Sequence, residues 1–183
     1  DNLTLRAILD AEIAACDKRY YGLDFGFAVD PDAFVCWHYD NSRRRLVALD
    51  EYYGVRTPLD TLADKLKARV GRAVVTCDSA EPRMIAELHR RGVQAVGARK
   101  GPGSVVHGMR WLQELSEIVI DPARCPNTAR EFSGYEYRQD RHGNFLADYP
   151  DQDNHTVDAT RYAVEALSTR RRLRTMDKAT LGL

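Results

Sequence analysis

Three aspartates occupy positions where an apolar segment ends or a helix begins, far apart in the chain. They are Asp24 in Tyr20-Tyr21-Gly22-Leu23-Asp24-Phe25-Gly26, Asp78 after Ala73-Val74-Val75-Thr76-Cys77, and Asp158 in Asp153-Asn154-His155-Thr156-Val157-Asp158-Ala159. A carboxylate at the end of a buried strand is costly unless something positive meets it, and one divalent cation can meet several carboxylates at once. The set therefore points to a metal site assembled from distant sequence, and to metal-dependent phosphate chemistry. His155 and Asp158 are three residues apart at a helix start, so their side chains share a face and can approach the same ion. An imidazole among oxygens makes manganese more welcome than an all-oxygen set would. Asp30, Asp151 and Asp153 are outer candidates for the same centre, the last two also suited to a helix N-terminus. Taken singly, each residue has a plainer reading, with Asp24 as a turn cap, Asp78 as the N-cap of the next helix and His155 as an ordinary helix-start residue.

The elements that must position these residues can be read from apolar spacing. Leu3, Leu5, Ile8, Leu9 and Ile13 recur at near-helical intervals and predict a short leading helix over 1–17, or the remnant of a linker. Three strands follow, over 20–27, 32–39 and 46–53, separated by the turns Asp30-Pro31 and Asp40-Asn41-Ser42. Thr57-Pro58 is suited to an N-cap and first helical turn, opening a helix with Leu59, Leu62, Ala63, Leu66 and Val70 on one face. A strand over 73–77, a helix from Ser79-Ala80-Glu81-Pro82, a short strand at 93–96, a helix through Val105 to Leu115 and a strand at 118–120 come next. Asn127 to Phe132 reads as helix, Tyr135 to Asp148 as a β-hairpin around Asp140-Arg141-His142-Gly143-Asn144, and the last helix starts near Asn154.

Net charge is zero in 183 residues, with 27 basic and 27 acidic side chains, so bulk attraction to a polyanion is not expected and local clusters carry more information. Arg43-Arg44-Arg45 reads as a solvated face, whereas Arg170-Arg171-Arg172-Leu173-Arg174 suits either a phosphate-contacting arm or a terminus without fixed structure. The four cysteines are scattered without C-x-x-C or zinc spacing, which predicts reduced core thiols and an intracellular setting. No secretory leader and no apolar run of about 20 residues is visible, so no membrane partner is expected.

Four motifs occur in a telling order. Gly22-Leu23-Asp24-Phe25-Gly26 with Asp30-Pro31, Cys77-Asp78-Ser79-Ala80-Glu81-Pro82, Lys100-Gly101-Pro102-Gly103-Ser104-Val105, and Asp153-Asn154-His155-x-x-Asp158-Ala159-x-Arg161-Tyr162 together resemble the C-terminal nuclease domain of bacteriophage large terminase subunits. The resemblance runs from about Tyr20 to Leu167. It implies an α/β ribonuclease H-like fold, a central mixed β-sheet flanked by α-helices, with an added β-hairpin near the active site. It implies a core over 19–168 between a leading segment over 1–18 and a basic tail over 169–183. By resemblance Asp24, Asp78 and Asp158 are the catalytic acids and, with His155, ligands of two divalent cations, Mg²⁺ or Mn²⁺. Lys100, Gly101, Gly103, Arg138 and Arg141 are the expected DNA contacts.

The same resemblance implies double-stranded DNA as substrate and, as partners, an N-terminal ATPase domain, a small terminase subunit and a procapsid portal, in the cytoplasm of an infected bacterial host. No G-x-x-x-x-G-K-[ST] loop occurs in these residues, so the ATPase is expected to lie elsewhere. A junction resolvase or RNA:DNA hybrid hydrolase would share the three acids, and a non-catalytic docking module of a packaging motor would share the fold.

Overall fold

Alternation of apolar side chains along the strand segments builds a sheet buried on both faces. In the computed structural model, which describes residues 2–135 and 154–169, seven strands form one mixed sheet in the order β1-β7-β4-β3-β2-β5-β6. The antiparallel run β2 (Arg19–Asp24), β3 (Pro31–Asp40) and β4 (Arg45–Val55) lies at its centre. On one side β5 (Val74–Cys77) and β6 (Gln94–Gly97) add in parallel to β2. On the other, β7 (Glu117–Ile120) adds in parallel to β4, and β1 (Leu3–Leu5) to β7.

Phe34 and Cys36 face one layer, where α2 (Leu59–Val70) and α3 (Pro82–Arg90) contribute Leu62, Leu66 and Leu88. Val35 and Trp37 face the other, against α4 (Ser104–Gln113), α5 (Pro126–Gly134) and α6 (His155–Ala163). All four cysteines are free thiols, three of them buried. Among the described residues no helix is long and apolar enough to cross a membrane.

The leading segment differs from expectation. Only Asp10–Ala14 is helical (α1), while Leu3–Leu5 is a strand paired residue by residue with Ile118–Ile120. Alternating Leu3 and Leu5 fits a half-buried strand as well as a helix face, and an open sheet edge at β7 decides the matter. Asn2 fastens this strand further, its side-chain amide donating to the carbonyls of Leu112 and Leu115 at the end of α4. The segment is thus part of the sheet and not a loose remnant. Thr57 also departs from its expected capping role, since its hydroxyl lies 2.8 Å from the Tyr52 hydroxyl and Pro58 occupies the cap position of α2. The hairpin and the basic tail fall outside the described residues, except Tyr135 at one end and Thr169 at the other.

One contact fixes where the last helix crosses the sheet. A Cβ built on Gly22 would stand 1.8 Å from the Ala159 carbonyl oxygen, so α6 rests on β2 where there is no side chain. Trp37 Nε1–H donates to Thr160 Oγ1 at 3.0 Å, and that hydroxyl donates to the Thr156 carbonyl, locking the helix against β3.

Candidate active site

β2 and β5 are adjacent and parallel, so their C-terminal ends emerge together, the usual place for a site in an open α/β sheet. Asp24 is the last residue of β2. Asp78 follows β5, and its N–H donates to the Leu23 carbonyl at 3.0 Å, extending the ladder by one residue. α6, seated on Gly22, brings His155 and Asp158 to the same edge. His155 Nδ1 lies 3.1 Å from Asp24 Oδ2, and its Nε2 lies 4.0 Å from Asp30 Oδ1. Asp30 thus reaches the cluster from the β2–β3 turn, as its position in the sequence suggested.

Burial pushes the Asp24 carboxyl up to about 6; the His155 hydrogen bond opposes that rise, while the charges of Asp158 and Asp78 add to it. His155 is pushed up in turn by its bond to Asp24. The Tyr162 hydroxyl is raised by burial and then by Asp158, Asp24 and Asp78, which places its ring within the field of all three acids. Lys100 Nζ and the Arg161 guanidinium each lie about 5.5 Å from the centre of that ring, at 5.5 and 5.6 Å.

Each acid is engaged by its own base. Asp24 bonds to His155, Asp78 is ion-paired with Lys100, and Asp158 is ion-paired with Arg161 and accepts the Asn154 side-chain amide at 3.3 Å. Asp78 also accepts the Ala80 N–H at 2.8 Å, closing a turn, but it does not cap the next helix, whose cap position is Glu81. Among the described residues no three His, Cys, Asp or Glu side chains are grouped tightly enough to enclose an ion. The sheet edge collects the expected residues; their side chains are turned to basic partners.

Two glutamates that sequence reading passed over, Glu131 buried and Glu51 half-buried, hold the helices that carry the site. Glu131 is 2% exposed; its Oε2 accepts both the N–H and the hydroxyl of Thr156 at 2.6 Å, and its Oε1 accepts the Tyr53 hydroxyl. It satisfies one first-turn amide of α6, that of Thr156 beside His155. Glu51 does the same for α5, accepting from the backbone and side chains of Asn127 and Thr128. Their partners are distant in sequence, and the cap position of α5 is Cys125, a residue that cannot cap well. That missing local cap was the available signal.

Gly101 and Gly103 precede α4, Gly103 with φ of 76°, which favours glycine. Arg138, Arg141, Asp151 and Asp153 lie outside the described residues.

A family model described as "Terminase RNAseH like domain" matches residues 24–166, a span that takes in all three acids. This chain belongs to that family. Relatives of the terminase domain bear this out. It is 48% identical over 161 residues to the large terminase subunit of Bacillus phage SPP1, covering 86% of this chain and 38% of that protein. It is 31% identical over 156 residues to the PBSX phage terminase large subunit of Bacillus subtilis, covering 84% and 36%. The chain therefore spans little more than a third of the curated relatives it matches.

Among solved structures, the terminase domain superposes on the nuclease domain of the SPP1 large terminase, g2p, solved with bound Mn, with a TM-score of 0.86 and 46% identity. That match covers 91% of this chain and 97% of the other, and it places the sheet and helices in the expected ribonuclease H-like architecture. Membership decides between a terminase and the other ribonuclease H-like nucleases that share three acids.

Proposed function

We propose that this chain is the nuclease domain of a viral genome-packaging terminase and cuts concatemeric double-stranded DNA as a divalent-metal-dependent endodeoxyribonuclease. The observation that carries the reading is Asp24. Its buried carboxyl is pushed up to about 6 with two further acids contributing, an excess of negative charge at the sheet edge that a divalent cation would offset. Three carboxylates and one imidazole form an oxygen-rich donor set that suits Mg²⁺ or Mn²⁺. Asp24, Asp78 and Asp158, with His155, would hold two such ions. When bound, the ions supply activation of water and charge stabilisation at the departing 3′-oxygen.

The chain's own residues do the positioning. Lys100 carries its ammonium between Asp78 and the Tyr162 face, where it can meet a phosphate oxygen as a point charge. His155 orients Asp24, and Arg161 with Asn154 orients Asp158. In the reaction the oxygen of water bonds to phosphorus and the P–O3′ bond breaks, with no protein nucleophile. Arg138 and Arg141 are proposed as further DNA contacts. In the longer relatives' arrangement the partners would be an N-terminal ATPase, a small subunit and a portal, in the cytoplasm of the infected bacterial host.

The test is conversion of supercoiled plasmid in Mn²⁺, Mg²⁺ or EDTA by the unmodified chain, Asp24→Ala and Asp158→Ala. Nicking and linearisation that need metal and are abolished by both substitutions support the reading. An unmodified chain that leaves plasmid intact in both metals while still binding DNA would point instead to a docking module.

A further inference from the structure

Beside the acid cluster, on the far side of Lys100 and Arg161, lies a cavity of about 240 Å³ between the 99–104 loop, α4 and α6. Two nitrogens in its walls are buried and have no hydrogen-bond partner among the described residues, Arg161 Nε and His107 Nε2. Arg161 is only 8% exposed; its Nη1 is paired with Asp158, and its Nε is buried without a partner among the described residues. A buried N–H without an acceptor destabilises a fold unless a ligand or water meets it, and such orphans in native proteins call for an explanation. Gly108 makes room for the Arg161 side chain: a Cβ there would stand 3.2 Å from Arg161 Cγ and 3.3 Å from its Nε.

The remaining wall has the same polarity. Gly103, in the left-handed region, turns the chain into α4, and His107 N–H is bonded back to the Gly103 carbonyl. The helix thus presents its N-terminal end and positive dipole to the cavity, with the Ser104 N–H bonded to the Gly101 carbonyl. Of the charged residues lining the cavity, Arg99, Lys100 and Arg161 are basic; Glu165 is the acid, and its Oε1 already accepts the Arg99 N–H. The space admits a phosphate group with several waters.

We infer that this cavity is a phosphate subsite, holding a backbone phosphate of the DNA strand next to the one that is cut. The inference rests on the nuclease reading above and extends it by naming where the strand is gripped. Lys100 and Arg161 form the shared wall, so a strand passing the acid cluster places its neighbouring phosphate at His107, Arg161 Nε and the α4 N-terminus.

Ser104→Glu tests this without harming the fold, because an acid in the first turn favours the helix while it repels a phosphate. Gln94→Glu, at an exposed position of β6, makes the same charge change elsewhere. Binding of a fluorescein-labelled duplex is measured by anisotropy in EDTA across a KCl series. Ser104→Glu should bind about tenfold more weakly and lower the salt slope by about one, His107→Ala should weaken binding about threefold, and Gln94→Glu should stay within about twofold of the unmodified chain. Ser104→Glu and His107→Ala both binding like Gln94→Glu would overturn the subsite, as would an unmodified chain whose binding shows no salt dependence. Plasmid nicking in Mn²⁺ separates the two claims: weakened binding by Ser104→Glu when no form nicks keeps the subsite and removes the nuclease, whereas nicking with unchanged binding does the reverse.

Discussion

His155 Nδ1 lies 3.1 Å from Asp24 Oδ2, tying the first residue of α6 to the last residue of β2 across 131 positions of chain. The bond orients a carboxylate that burial, despite the bond, keeps protonated over much of the acid range. Asp24 holds its proton in the fold up to about 6, against 3.8 in a free carboxyl, so its ionisation opposes folding. That cost is absent below about pH 4 and complete above about pH 6. Asp24→Asn in EDTA should therefore raise the melting temperature by a few degrees at pH 7.5 and make no difference near pH 3.5, while abolishing plasmid nicking. A lower melting temperature at pH 7.5 would show that the His155 bond outweighs burial.

Gly22 has no room for a side chain. Gly22→Ala should displace α6 from β2, costing about 3 kcal/mol or more and removing nicking, because its Cβ would meet backbone on the opposing helix. Gly134→Ala, where a Cβ meets nothing within 4 Å among the described residues, should leave urea unfolding within about 0.5 kcal/mol of the unmodified chain. Equal midpoints for the two variants would mean that α6 does not rest on β2 in solution.

Glu131 makes its contribution through Thr156, one residue past His155. Glu131→Ala leaves the Thr156 N–H and hydroxyl and the Tyr53 hydroxyl without their acceptor, and should lower stability by about 3 kcal/mol. Below its own melting temperature the variant should nick plasmid more slowly at saturating Mn²⁺, since both His155 and Asp158 ride on the loosened turn. Thermal unfolding and initial nicking rates measured on one preparation decide it; an unchanged rate would confine Glu131 to a structural role.

Lys100 joins the acid cluster to the strand-binding wall. Lys100→Ala should reduce both duplex affinity and nicking by about tenfold, and Lys100→Arg should restore affinity more than rate, because the guanidinium keeps the charge but not the compact fit between Asp78 and Tyr162. The comparison reads anisotropy against nicking rate. Full recovery of both by arginine would leave only charge as the requirement.

Strands β2 to β7 and helices α2 to α6 were legible because apolar runs, Gly-Pro punctuation and period-3.6 faces agree there. β1 was not, since Leu3 and Leu5 satisfy two periods and only the bare edge of β7 chooses between them. The four site residues Asp24, Asp78, His155 and Asp158 reach one sheet edge as their strand-end and helix-start positions implied. Their pairing with Lys100 and Arg161 was half readable: Arg161 lies three residues past Asp158 on one helix face, whereas Lys100 reaches Asp78 from a loop that spacing alone does not aim. Glu51 and Glu131 escaped because a charged residue in a strand or helix reads as solvent-facing until its distant amides are known.

The contact of Ala159 with Gly22 also has a consequence in time. A growing chain makes β2 and β5 early, yet His155 and Asp158 are among the last described residues to be synthesised, and α6 can settle only once it has cleared the ribosome. Unfinished or truncated polypeptides hold Asp24 and Asp78 without their counterparts. The four residues therefore cannot meet at the sheet edge until the last helix has been made and seated on Gly22.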